Sequence, residues 1–103
     1  MNAPSAASAG RLALTKSVEL AGVPEVEQAA RALAELADDV SVPRNVRRGA
    51  LAARDELAKP AVALDVRIAS AVYALDDLAN DPNLPTHGRT TIWSIISNLE
   101  SLQ

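Results

Sequence analysis

Between Ala61 and Asn80 the chain reads AVALDVRIASAVYALDDLAN, and this run limits the fold more than any other. At about 100° per residue, Leu64, Ile68, Ala71, Val72, Leu75, Leu78 and Ala79 share one broad helical face. A second apolar strip, Val62, Val66 and Tyr73, falls on the other side. A helix apolar on two sides calls for partners on two sides. The rest of the chain is therefore expected to supply the cover.

The flanking segments have the periodicity to do so. From Pro24 to Asp39, the residues Val26, Ala29, Ala30, Leu33, Leu36 and Ala37 make an apolar face. Glu25 and Glu27 sit in the first turn, where the helix dipole favours acids. Pro43 is read as opening a helix that runs to about Lys59, with Val46, Ala50, Ala53 and Leu57 inward. Pro60 ends it, and the central helix begins at once from Ala61. Asp81, Pro82 and Asn83 form the next turn. Pro85 then starts a last helix to about Leu102, with Ile92, Ile95, Ile96, Leu99 and Leu102 on its core face. Short links make consecutive helices antiparallel. The expected fold is all-α, an up-and-down four-helix bundle over 23–103. The core is built from aliphatic side chains and alanine, since the aromatic residues are one Trp and one Tyr.

Residues 1–22 read differently. MNAPSAASAG is small, polar and low in complexity, and is expected to be disordered. It has no apolar signal core, and its first basic residue is Arg11, which argues against a targeting segment. Arg11 to Ala21 could form a short helix, which would need to dock to persist.

The bundle carries an internal repeat. At an offset of 42 residues, Ala29/Ala71, Ala32/Ala74, Leu33/Leu75, Leu36/Leu78, Ala37/Ala79, Asp39/Asp81, Pro43/Pro85, Arg47/Arg89 and Leu57/Leu99 are identical pairs. The chain thus reads as two copies of one helical hairpin. In each, Asp closes the first helix, an apolar residue precedes Pro, and Arg follows Pro by four residues. One turn into its helix, that Arg can reach back to the Asp or to free carbonyls at the preceding helix end. Asp39 with Arg47, and Asp81 with Arg89, are the expected corner pairs. The hairpin resembles a HEAT repeat, but two copies are too few for a solenoid and a closed bundle is expected.

SVPRNVRRGA at Ser41, and DVRIASAVYALDDLANDPNLPTHGRTTIWSIISNLESL from Asp65, resemble the small archaeal family known as uncharacterised protein family 0147. The resemblance spans Glu25 to Leu102 and is most specific at Val42–Arg47 and Asp81–Trp93. It implies a four-helix fold of the bromodomain-like up-and-down type and a cytoplasmic setting, and it brings no catalytic residues.

Composition excludes several function classes. The chain has no cysteine, so no disulfide, thiolate nucleophile or thiolate metal site. A single His makes a structural zinc site untenable. A net charge of −3 argues against coating nucleic acid through overall charge. No apolar run approaches a membrane span. Four candidates remain. Arg44, Arg47, Arg48, Arg54 and Lys59 give the second helix a basic face, broken by Asp55. It is either a solvated face or a site for phosphate, nucleic acid or an acidic protein. Trp93, at the position matching Leu51, either packs against the neighbouring hairpin or anchors a partner. His87 is read as a local cap or pair; as a general base it lacks a nucleophile placed by spacing. Asp76, Asp77 and Asp81 are read as partners for Arg89 or Arg47 rather than as metal ligands, because adjacent side chains on a helix diverge.

The functional expectation is a small non-enzymatic interaction or adaptor protein in the cytoplasm, without cofactor, metal or membrane anchor. It would bind a protein or an RNA–protein assembly through Arg44, Arg48 and Arg54, with Trp93 as anchor; a homo-oligomer is left open. The alternative is a small enzyme using His87 with Asp77 or Asp81.

Overall fold

The computed structural model describes residues 23–103. The expected N-terminal segment, 1–22, with its short helix from Arg11 to Ala21, lies outside the described residues. Four helices follow in order: α1, Pro24–Ala37; α2, Arg44–Leu57; α3, Leu64–Ala79; and α4, Thr86–Glu100. Among the described residues there is no strand. Each helix packs on its neighbour in sequence, and α4 closes the ring against α1, while the diagonal pairs stay apart. The hairpins therefore close on each other as an up-and-down bundle.

One continuous core joins all four helices. Its largest fully buried side chains include Leu33 from α1, Leu57 from α2, Ile68 and Leu75 from α3, and Ile92 and Leu99 from α4. Each side chain of that size contributes about 1.5–3 kcal/mol when fully buried. Alanines 50, 53 and 71 are also fully covered, and they let the helices approach closely. At Gly49 the two helices α2 and α3 come close. A Cβ placed there would lie 2.5 Å from Leu78 Cδ2, so α2 gives up a side chain to let Leu78 of α3 in.

The second strip on α3 finds no cover. Val66 is 50% exposed and Tyr73 82%, so this strip stays largely open although α3 packs on both α2 and α4. The helix is also shorter than its hydrophobic run. Ala61 to Ala63 belong to a link, and α3 starts at Leu64.

That link explains the difference. All three links, 38–43, 58–63 and 80–85, have the same length and the same backbone bonds. Asp39, Lys59 and Asp81 donate their N–H groups to Leu36, Glu56 and Leu78, then accept from Val42, Val62 and Leu84. Each link ends on an extended residue immediately before the helix: Pro43 (φ −55, ψ 147), Ala63 (φ −59, ψ 147) and Pro85 (φ −62, ψ 155). Proline's fixed φ suits this conformation. Pro43 and Pro85 thus stand just before the first helical residue, whereas Pro24 stands inside α1. The same turn is made three times; the middle copy has Lys59 where the others have Asp and Ala63 where they have the final Pro, and its own Pro60 stands within the turn.

The repeat also trades volume between its copies. Where the first hairpin has Val42 and Val46, the second has Leu84 and Gly88. A Cβ on Gly88 would lie 2.8 Å from Leu84 Cδ1 and 3.7 Å from Val42 Cγ2. The larger Leu84 occupies the space that a side chain at 88 would need.

Candidate partner-binding site

The links 38–43 and 80–85 meet at one end of the bundle and hold each other by polar contacts. Asp39 Oδ1 accepts from the Ser41 N–H at 2.9 Å and from Ser41 Oγ at 2.6 Å. Its other oxygen lies 2.8 Å from His87 Nε2. Asp81 repeats the plan. Its Oδ1 accepts from the Asn83 N–H at 2.8 Å and its Oδ2 from Asn45 Nδ2 at 2.7 Å. Asn45 and His87 are related by the same offset of 42 residues as the two aspartates. Each crosses from its own hairpin to the aspartate of the other.

These bonds favour the charged carboxylates. Hydrogen bonds from the Ser41 side chain, from His87 and from the Ser41 backbone lower the Asp39 pKa to about 2. The Asn45 amide and then the Asn83 N–H lower that of Asp81.

The two corner pairs expected from sequence differ in outcome. Arg89 reaches carbonyls and not the carboxylate: Nε donates to Ala79 O and Nη2 to Asp81 O, both at 3.0 Å. Arg47 forms no ion pair with Asp39, whose oxygens are taken by Ser41 and His87. Its Nε is buried without a hydrogen-bond partner. The middle corner has its own arginine, which sequence reasoning missed. Arg67 is only 6% exposed. It donates from Nε to Val62 O at 2.7 Å and from Nη1 to Leu57 O at 3.2 Å. Leu57 and Ala79 are the last residues of their helices, so Arg67 and Arg89 both satisfy carbonyls that helix ends leave open. The available signal was the regular series Arg47, Arg67, Arg89, each four residues into the same turn pattern.

His87 does not pair with Asp77 or Asp81; it reaches Asp39 on the other hairpin. Ser41 Oγ is 3.2 Å from the same Nε2, which gives Ser, His and Asp in one cluster. The arrangement is not a nucleophile relay. A relay puts the acid and the nucleophile on opposite ring nitrogens. Here both contact Nε2, and the hydroxyl donates to the carboxylate. Asn45, with no basic nitrogen, makes the same crossing bond at the equivalent place. The chemistry the two positions share is a clasp between hairpins.

Of the basic face on α2, Arg44 and Arg48 are exposed and one turn apart. Neither forms an ion pair among the described residues. Arg54 lies roughly 80–120° round the helix from them and contacts Asp55 at 3.3 Å. Lys59 pairs with Glu56 at 2.9 Å. The face thus narrows to two arginines. Trp93 is 61% exposed and lies beside the groove between α3 and α4. It is not buried against the other hairpin, and α4 does not adjoin α2. Trp93 and the arginines are therefore two surfaces, not one site.

Comparison with known proteins agrees with this architecture. A protein from Thermoplasma acidophilum is 47% identical over 70 residues, covering 68% of this chain and 80% of its own. One from Methanocaldococcus jannaschii is 45% identical over 71 residues, covering 69% of this chain and 76% of its own. One from Saccharolobus islandicus is 40% identical over 79 residues, with 77% and 89% covered. A crystal structure of a UPF0147 protein from Thermoplasma acidophilum superposes with a TM-score of 0.75 at 41% identity, over 78% of this chain and 94% of that one. A second crystal structure, of a protein of unknown function, gives 0.74 at 40% identity, over 77% and 90%. The model of the uncharacterised protein family UPF0147 matches residues 16–102, reaching further toward the N-terminus than the motifs that first suggested it. By sequence, by coverage and by fold, the chain belongs to UPF0147.

Proposed function

We propose that the protein is a small cytoplasmic interaction module whose α2 face contacts the phosphate backbone of RNA in an RNA–protein assembly. One observation carries this reading. Arg44 and Arg48 stand side by side, exposed and without an acidic partner among the described residues, on a chain whose net charge is −3. An acidic protein gains nothing from such a pair in solubility that lysine would not supply. Arginine's planar fork suits bidentate contact with phosphate or carboxylate. Steering would present α2 first to an anionic partner. No described helix is long and apolar enough to cross a membrane. The enzyme alternative draws no support from His87, whose neighbours form the hairpin clasp described above.

The test is a fluorescence titration of native RNA with the protein and with Arg44→Ala/Arg48→Ala, at two salt concentrations. Loss of two phosphate contacts is expected to weaken binding and to flatten the salt slope by about 0.7–0.9 per contact. Unchanged affinity and slope would remove RNA as the partner and leave an acidic protein surface as the occupant of this face.

A further inference from the structure

We propose that the groove between α3 and α4 beside Trp93 is a second binding site, and that it takes the lysine or arginine side chain of a partner protein. Asp76, Trp93, Ile96, Ser97 and Glu100 line a recess of about 260 Å³. An indole left largely open to water beside such a recess is available to a ligand. A cation against an indole face is attracted by the ring quadrupole, and most strongly for Trp. The rim supplies the matching charge. Asp76 and Glu100 are exposed, and neither forms an ion pair among the described residues. Ile96, nearly covered in the floor, gives the aliphatic stem of a long basic side chain an apolar surface.

The surroundings point to the same charge. The exposed acids of α3 and α4 are Asp65, Asp76, Asp77 and Glu100. The arginines of α3 and α4, Arg67 and Arg89, are turned inward to backbone carbonyls and do not neutralise it. The sign is opposite to that of the Arg44–Arg48 face on α2. The site is independent of that face, and either can fail alone.

Trp93 is the only tryptophan of the chain, so its emission reports on the groove directly. The full chain is titrated with acetyl-Gly-Arg-Gly-amide, with its Lys counterpart, and with the citrulline peptide, which keeps the shape of arginine without the charge. The cationic peptides are expected to shift Trp93 emission saturably, and citrulline to bind at least about tenfold more weakly, a difference of roughly 1.4 kcal/mol. Asp76→Asn/Glu100→Gln, with its helical circular dichroism unchanged, is expected to lose the preference for charge. If that variant fails to fold, the Arg-against-citrulline comparison on the unaltered chain decides alone. Equal binding of the arginine and citrulline peptides, or no saturable shift with any of them, overturns the proposal. So does concentration-dependent self-association that Trp93→Ser abolishes, which would make a second copy the occupant.

Discussion

Arg67 holds a permanent charge in a place almost closed to water, and two carbonyls make that tenable. Charge-assisted hydrogen bonds contribute about 1.5–3 kcal/mol, and losing the donor also leaves the Leu57 carbonyl without its partner. Arg67→Met keeps most of the stem and removes the donors. It is expected to lower unfolding stability in urea by about 1–3 kcal/mol. Arg47→Met, at the equivalent corner where Nε has no partner, is expected to change it by less than about 0.5 kcal/mol. Equal losses would contradict the distinction drawn between the two arginines. The aspartates make a pH prediction. The folded Asp39 has a pKa of about 2 against an ordinary 3.8, and Asp81 is lowered too. The folded state therefore holds these protons more weakly than the unfolded chain. Their stabilisation is fully present above about pH 4 and is lost as the pH falls through the folded values, toward about 2 for Asp39. Urea midpoints measured from pH 5 down to pH 2 should fall less steeply for Asp39→Asn/Asp81→Asn than for the unaltered chain. Parallel curves would show that other carboxylates dominate the acid response.

Among the elements, α3 shows what periodicity can and cannot tell. Its main face was legible because Leu64, Ile68, Ala71, Val72 and Leu75 recur at helical spacing, and these residues pack inward. Truncating Ile68 or Leu75 to Ala is expected to cost about 2–5 kcal/mol by urea denaturation. Val66→Ser and Tyr73→Ser are expected to stay within about 0.5 kcal/mol. A large loss at Val66 or Tyr73 would mean that their strip is covered after all. Apolar side chains at regular spacing record a preference for burial, but only the positions of neighbouring helices decide whether cover arrives. The link before α3 misleads for a related reason. With Lys59 in place of the Asp and Ala63 in place of the final Pro, Ala61–Ala63 reads as helical, while the link's backbone bonds copy those of the other two turns. Gly88 belongs to the same scale. Gly88→Val is expected to overpack against Leu84 and to destabilise by about 1–3 kcal/mol. Adding Leu84→Val, which recreates the Val–Val pairing of the first hairpin, should recover much of that loss. A double variant no more stable than the single one would mean that the two sites do not share the volume.

At the scale of the whole molecule, two similar hairpins face each other across one core, and their links are clasped by Asp39–His87 and Asn45–Asp81. Both bonds join residues far apart in sequence. Removing both, by Asn45→Ala/His87→Ala, is expected to lower the melting temperature in calorimetry and to speed amide exchange at the starts of α2 and α4. Unchanged exchange there would show that the core alone fixes this end. The family could be recognised in the sequence because the turn motifs, VPRNVR above all, are contiguous and demanding. Helix count, order and inward faces were legible for a local reason: periodicity, proline and turn residues act on neighbours in the chain. What only the tertiary structure decided is everything that depends on the angle and register between hairpins. Among these are the partner of His87, the burial of Arg67 and the separation of Trp93 from the arginine face. Side chains brought together from Asp39 and His87, or from Asp76 and Trp93, meet because helices pack. No pattern of residues along one helix contains that distance.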